Sequence, residues 1–360
     1  MFGGGVAVAV AERHKLRELS MLHRKHLQYQ EKMFVHARDA HTEEVPFRES
    51  RVDVDGLSVN YIDEGRKDAK VLLLVHGGGD SSSYNSWRLN IEELSRSYRV
   101  IAPDLPGFGK THKPDKKCTL DYYVNEFMPK FIESIGLSGQ KLLLAGSSMG
   151  GGIVLGYALD HPEMVEKQIL IGSYGLYDRS FSRLANRLAH MPHFSYRAFE
   201  LMRTRAGKVL DFVVGLSLLD AIKEHDMLIN IKEVRAHDIK PAFFDFLDDQ
   251  ITKTGFRTNY SKRVGELSEN GIQTMIVHGT EDPLFPIKDI LKVADRIKDC
   301  KFYEMTGCGH SPQLKDPDSF NAKVLEFLSA EGQEAARAET SRRRRWPLGM
   351  KLFRWRWSEA

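Results

Sequence analysis

Six short runs of apolar, strand-forming residues recur along the chain, and amphipathic stretches separate most of them. The runs are Val71–Val75, Arg99–Ala102, Lys141–Ala145, Gln168–Ile171, Thr274–Val277 and Lys301–Met305. The amphipathic stretches cover 84–96, 119–135, 152–160, 287–298 and 316–330. A strand that is apolar along its whole length has no solvated face, so something must cover both of its sides. Alternation with helices supplies that cover. It predicts a mostly parallel central sheet with helices on both faces, an α/β fold. Ahead of it, residues 51–62 read as two alternating strands about Asp55-Gly56, a hairpin on one edge of the sheet.

The alternation breaks between about Asp178 and Val264. This segment has no clear strand and shows helical spacing such as Leu184, Leu188 and Met191. A helical insertion at this point lies over the carboxyl ends of the strands, where open α/β sheets keep their sites. We therefore expect a core in two parts, 46–177 and 266–333, with a helical cap over 178–265. Residues 1–45 read as an N-terminal helical extension, and 334–360 as a basic, Trp-rich tail.

Composition narrows the function classes. With 42% apolar and 28% charged residues among 360, the chain can bury a sizeable core. Cys118, Cys300 and Cys308 form no CxxC pair and leave an odd count, which fits a reducing compartment better than a disulfide framework. No apolar run approaches the ~20 residues that span a bilayer. The first residues lack the basic region of a signal peptide, and Glu12 and Arg13 cut their apolar run short. A cytoplasmic protein is expected. The net charge of +3 is carried by residues 342–360, where seven Lys and Arg residues face one acid, so the rest of the chain is mildly acidic. Nothing in it suggests nucleic acid. Arg342–Arg345 followed by Trp346, Trp355 and Trp357 has the chemistry of a peripheral contact with an anionic membrane, and equally that of a solvated terminus.

Leu142-Leu143-Leu144-Ala145-Gly146-Ser147-Ser148-Met149-Gly150 carries the chemistry. A strand-type run ends in Gly-x-Ser-x-Gly and a helical pattern follows. Small residues around such a turn allow a strained backbone at Ser148 and present its hydroxyl at a strand end. His76-Gly77-Gly78-Gly79, directly after another strand, can offer backbone N–H groups to a developing oxyanion. It lacks both the phosphate-binding P-loop pattern and the dinucleotide fingerprint. Asp282 follows a strand and could orient a histidine. His310 sits among small residues in Gly307-Cys308-Gly309-His310-Ser311, after the last strand. Asp104 and Asp178 are rival acids. No cofactor or metal is called for by this set.

The order glycine loop, serine elbow, acid, histidine resembles that of the α/β-hydrolase superfamily from about Arg51 to Ala330, and Ile101-Ala102-Pro103-Asp104-Leu105-Pro106-Gly107-Phe108-Gly109 matches its loop after the fourth strand. The resemblance implies Ser148 as nucleophile, His310 as general base and acid, and Asp282 as the orienting acid. It also implies an oxyanion hole from the N–H groups of Gly78 and Met149. Within the superfamily the chain is similar to the meta-cleavage-product hydrolases, which split carbon–carbon bonds in ring-fission products. The shared features are His76–Gly79, Asn85-Ser86-Trp87, Ser148-Met149-Gly150-Gly151, Gly172-Ser173-Tyr174-Gly175 and Cys308-Gly309-His310.

The chain departs from those enzymes where they carry Asn before the nucleophile and Trp after the histidine. Here the residues are Ser147 and Ser311, and the glycine loop continues Asp80-Ser81-Ser82. A substrate carboxylate would find cap arginines at Arg183, Arg187, Arg197, Arg203 and Arg205, residues that equally suit a solvated helix face. Apolar cap residues from Phe194 to Leu219 could line an acyl pocket or bury the cap on itself. A serine nucleophile excludes haloalkane dehalogenases and epoxide hydrolases, whose alkyl-enzyme ester forms at an aspartate. The expectation is a serine hydrolase that cleaves a small carboxylic ester or related acyl substrate through an acyl-enzyme. The alternatives are carbon–carbon bond hydrolysis and a slow, receptor-like ligand-binding role. Oligomeric state is not encoded in any motif.

Overall fold

The computed structural model describes residues 45–78, 81–176, 242–252, 255–282 and 284–329. The N-terminal extension, the tail, most of the expected cap, Asp178 and the five cap arginines lie outside the described residues.

The chain enters through an antiparallel hairpin, β1 (Glu49–Val54) and β2 (Leu57–Glu64). Asp55 and Gly56 both have positive φ, 54° and 80°, the turn whose twist matches that of the strands. After β3 (Val71–Val75) come two short helices, α1 (Ser83–Trp87) and α2 (Ile91–Ser95), then β4 (Arg99–Pro103). One helix was expected over 84–96. It is split at Asn90, whose amide turns inward to bond Gln313 and Asn321, and asparagine readily leaves helical geometry for such bonds.

A π-helical turn, Tyr122–Phe127, leads into α3 (Met128–Ser134). Pro129 has no N–H to give the carbonyl one turn back, and the backbone widens there. Next come β5 (Leu142–Ser147), α4 (Met149–Asp160) and β6 (Val165–Ile171). Strand β6 starts earlier than its apolar run suggests. Lys167 is buried in it, with Nζ donating to the carbonyls of Phe327 and Leu328 at 2.8 and 3.3 Å. Burial lowers the pKa of this amine to about 8.

The chain returns through α5 (Ala242–Gln250) and a two-residue ribbon, β7 (Ile251–Thr252) with β8 (Gly255–Phe256), in a region where no strand was expected. The remaining elements are α6 (Gly265–Glu269), β9 (Gln273–Gly279), α7 (Ile287–Ala294), β10 (Lys301–Met305), α8 (Pro312–Lys315) and α9 (Pro317–Leu328).

Eight strands form one sheet in the order β1-β2-β4-β3-β5-β6-β9-β10. Pairing is antiparallel from β1 to β4 and parallel from there on. Arg99 clamps the hairpin to the sheet by donating to both oxygens of Asp63, at 3.0 and 2.9 Å. Alternate residues of the parallel strands face opposite sides. Leu73, Val75, Leu144 and Ile276 pack with Phe127, Phe131 and Ile153, while Leu72, Leu74, Leu143 and Met275 pack with Trp87, Ile91, Phe320 and Val324. Each such side chain stabilises the fold by roughly 1.5–3 kcal/mol on burial. Among the described residues, no helix is long and apolar enough to cross a membrane.

Helix α4 sits hard against the sheet. A Cβ on Gly150 would overlap the carbonyl oxygens of Val75 and His76, and one on Gly146 would overlap that of Gly150. Gly150→Ala is therefore expected to cost about 3 kcal/mol, since backbone must move. Gly136→Ala, where φ is +74° but no atom lies within 4 Å, should cost only ~1–2 kcal/mol of backbone strain. Urea unfolding of the two variants checks the ordering; equal costs would mean that the helix does not seat as tightly as described.

Candidate active site

The site grows from the carboxyl edge of the parallel strands, where each strand end is tied to its neighbour. Ser148, between β5 and α4, donates its N–H to the carbonyl of Ile171 at 2.9 Å, and its carbonyl accepts from Tyr174. Gly172 donates to Val277 at 3.1 Å, Thr280 to Met305 at 3.1 Å and Glu281 to Cys308 at 2.9 Å. This staircase of main-chain bonds brings the ends of β5, β6, β9 and β10 to one rim. Ser148, Asp282 and His310 all follow those ends.

Ser148 has φ 53° and ψ −118°, a backbone region that an L-residue occupies only when its surroundings impose it. The strand-to-helix turn thus has the geometry that the sequence pattern predicts. Ser148 is half-buried. A Cβ on Gly77 would come within 3.3 Å of its Cβ, so the glycine loop passes directly beside the serine. Met149 opens α4, and the first N–H groups of a helix have no acceptor within it. Together with the helix dipole they favour negative charge at this end.

Asp282 is buried, and its Oδ2 lies 2.9 Å from Nδ1 of His310. Its Oδ1 accepts from the backbone N–H groups of Leu284 and Phe285 at 2.8 and 3.1 Å. Burial works to raise the pKa of this carboxyl. The His310 hydrogen bond, the two neighbouring histidines and the Phe285 N–H outweigh it and hold the group below its ordinary value. A carboxylate can only accept, so Nδ1 of His310 carries the proton and Nε2 the lone pair. The ring stands over the end of β6, where a Cβ on Gly172 would lie 3.2 Å from Nδ1. Phe285 packs against it with ring centroids 5.5 Å apart.

The rival acid Asp104 is committed elsewhere. Its Oδ1 accepts from Ser83 N–H and Oγ–H at 2.8 and 2.7 Å, and its Oδ2 from Asn60 and Lys110 at 3.0 and 2.9 Å. Four donors fill its acceptor positions, which makes it the anchor of its own loop.

The supporting roles of several residues were not read from the sequence. His76 is buried; its Nε2 accepts from Leu105 N–H at 3.0 Å, so its Nδ1–H donates to the carbonyl of Gly77 at 2.7 Å and pins the glycine loop. His278, fully buried behind Asp282, donates from Nε2 to the Phe285 carbonyl at 2.7 Å, with Asp282 Oδ2 at 3.4 Å. Both hold the turn they sit beneath. Phe243 of α5 lays its ring over Gly78, in the space a Cβ there would need. These signals were weak because histidine before glycine and phenylalanine in a helix are ordinary residues until the fold is known. Among the described residues, no group of three or more His, Cys, Asp and Glu is arranged to hold a metal ion.

Burial lowers the pKa of both His76 and His278 from an ordinary value of 6.5. The unfolded chain then binds more protons than the folded one as pH falls below that value. The associated stability is complete above pH 6.5 and is lost as pH falls through the lower folded values. Stability from urea unfolding should be flat just above neutrality and decline with acidification below pH 6.5. In His278→Gln, which keeps a donor for Phe285, the decline should be shallower; an unchanged slope would show that His278 does not take up a proton on unfolding.

The geometry can now be set beside known proteins. The chain is 31% identical to a 2-hydroxy-6-oxo-6-(2'-aminophenyl)hexa-2,4-dienoic acid hydrolase of Metapseudomonas resinovorans, over 79% of this chain and 92% of that one. A serine hydrolase involved in carbazole degradation superposes with a TM-score of 0.59 at 27% identity, over 78% of this chain and 98% of that one. The meta-cleavage product hydrolase of Pseudomonas fluorescens IP01 gives 0.58 at 26%, over 79% and 98%. Residues 70–317, from the first parallel strand into the last helix, match the family described as the alpha/beta hydrolase fold. With that match running through the elbow, the Asp282 turn and the His310 loop, the chain belongs to the α/β-hydrolase fold family.

Proposed function

We propose that this protein is a carbon–carbon bond hydrolase acting on a 2-hydroxy-6-oxo-dienoic acid, with Ser148 as nucleophile, His310 as general base and acid, and Asp282 as orienting carboxylate. The observation that carries the substrate class is the 31% identity along 92% of a relative that bears such a substrate in its name. The ester reading favoured from the sequence becomes the second reading, because the catalytic set serves both bonds equally. Ser147 and Ser311, the positions at which the chain departs from the carbon–carbon enzymes it resembles, favour keeping it.

Nε2 of His310 takes the hydroxyl proton of Ser148, and Oγ adds to the ketone at carbon 6. The Asp282 carboxylate stabilises the imidazolium that results. The oxyanion is met by the N–H groups of Gly78 and Met149, donors already fixed by the His76 pin and by the start of α4. Cleavage needs the dienol first in its keto form, with the C2 hydroxyl proton moved to carbon 5. The pair from the broken C5–C6 bond then delocalises to the C2 oxygen, which accepts the proton held by His310. Water, deprotonated by the same ring, releases the acyl group from Ser148. With an ester no ketonisation is needed; the alkoxide leaves with the proton held by His310, and attack and release by water are the same.

Ser148→Ala and His310→Ala should each lower turnover by on the order of 10³-fold or more, with binding retained. The decisive measurement compares kcat/KM on 2-hydroxy-6-oxo-dienoic acids with that on p-nitrophenyl esters, for wild type and both variants. Preference for the dienoic acids supports the first reading and preference for the esters the second. Binding without turnover of either would overturn both in favour of a ligand-binding role.

A further inference from the structure

Behind the elbow runs a row of buried side-chain amides that the proposed mechanism does not use. Gln313 lies in α8, three residues after His310, and its Nε2 donates to Oγ of Ser147, the residue before the nucleophile, at 3.3 Å. Asn90 Nδ2 donates to the Gln313 carbonyl at 3.0 Å and to Asn321 Oδ1 at 2.9 Å. Asn321 Nδ2 donates to the Leu89 carbonyl at 3.1 Å. All four side chains are buried, with Ser147 4%, Gln313 2%, Asn90 0% and Asn321 5% exposed.

Buried amides are costly to desolvate, and apolar residues of the same volume would stabilise this interior at least as well. What hydrogen bonds add over apolar packing is direction. From Gln313, on the segment that carries His310, the row reaches Ser147 on one side and, through the Gln313 main-chain carbonyl, Asn90 ahead of α2 and Asn321 of α9 on the other. It therefore ties the two segments together: Ser147 is bonded covalently to Ser148 and by hydrogen bond to Gln313, which continues through Pro312 and Ser311 to His310. The two amide ends of Gln313 are interchangeable for this purpose, since a hydroxyl can donate as well as accept. From above, the staircase of strand ends fixes the height of both catalytic residues. The Gln313 link fixes their separation along the rim.

Building on the assignment of Ser148 and His310, we propose that Gln313 is a positioning residue: through Ser147 it sets the approach of the His310 ring to the Ser148 hydroxyl. It touches no reacting atom. Its effect is confined to the attack step, where a misplacement well under 1 Å is felt strongly. Substrate binding, which depends on the cleft walls, is outside its reach.

The test is a double-mutant cycle in the full chain with Ser147→Ala, Gln313→Met and the pair together. Methionine keeps the length of the glutamine without its hydrogen bonds. Each single variant should lower kcat about tenfold while KM stays within about twofold, and should slow labelling of Ser148 by a fluorophosphonate in step with kcat. The double variant should be no slower than the worse single one, because both remove the same link. Three results overturn the proposal: losses that multiply in the double variant, kcat within about twofold of wild type in both singles, or a fall in thermal midpoint with kcat per folded molecule unchanged. If Gln313→Met does not fold, Ser147→Ala alone decides by its kcat and labelling rate. Failure of the underlying assignment looks different, since Ser148→Ala would then retain turnover and wild type would not be labelled.

Discussion

A residue with a Cβ is held at φ 53° where β5 meets α4, and the rest of the molecule is arranged so that it stays there. Such a conformation costs of order 1–3 kcal/mol and survives when its neighbours leave no alternative. Here the N–H of Ser148 is bonded to the last residue of β6 and its carbonyl to the loop that follows, so the turn cannot relax without breaking two main-chain bonds. Gly146 and Gly150 let the strand and the helix close to backbone contact, which removes the space that relaxation would need. The strain is thereby supplied by the sheet and paid for in its core, far from the hydroxyl it presents.

The same economy governs the histidines. Among the described residues three lie near the rim, and their environments separate their roles. His76 and His278 are fully buried, lowered in pKa by desolvation, and each donates one N–H to a carbonyl of the loop it supports. They act as neutral struts. His310 is the partly exposed one of the three, and it is hydrogen-bonded to a carboxylate. Asp282 is kept ionised by hydrogen bonds and neighbouring histidines that outweigh its burial. A charged His278 would compete with His310 for Asp282, so its neutrality protects the Asp282–His310 hydrogen bond.

The parts of this arrangement that were legible in the sequence are those encoded by local pattern. Val71–Val75 and Lys301–Met305 coincide with their strands, and Asp55-Gly56 with its turn, because periodicity and backbone preference act over a few residues. The order of glycine loop, serine, acid and histidine was legible for the same reason. Lys167 was not, because a lysine inside a buried strand makes sense only with the carboxyl end of α9 above it. Asn90 split an expected helix for partners more than 200 residues away. The link from Gln313 to Ser147 spans 166 residues, and no window of sequence contains it.

That difference also bears on why chemistry and specificity separate in this family. The atoms that attack a carbonyl are set by strand ends and short loops, which tolerate little change: an added methyl at Gly150 or Gly172 would meet backbone or the His310 ring. One layer out, Ser147 stands where the similar carbon–carbon hydrolases typically carry Asn, and Ser311 where they typically carry Trp. Ser147 is smaller than asparagine, and Gln313 reaches its hydroxyl from the helix that follows the His310 loop. A substitution that shrinks a polar side chain beside the nucleophile leaves a buried hydroxyl to be satisfied, and here the satisfying group also ties the nucleophile to its base. A change at position 147 therefore acts on the alignment of attack as well as on the shape of the pocket. The two can be separated because alignment is felt in kcat alone, while pocket shape is felt in how one substrate compares with another.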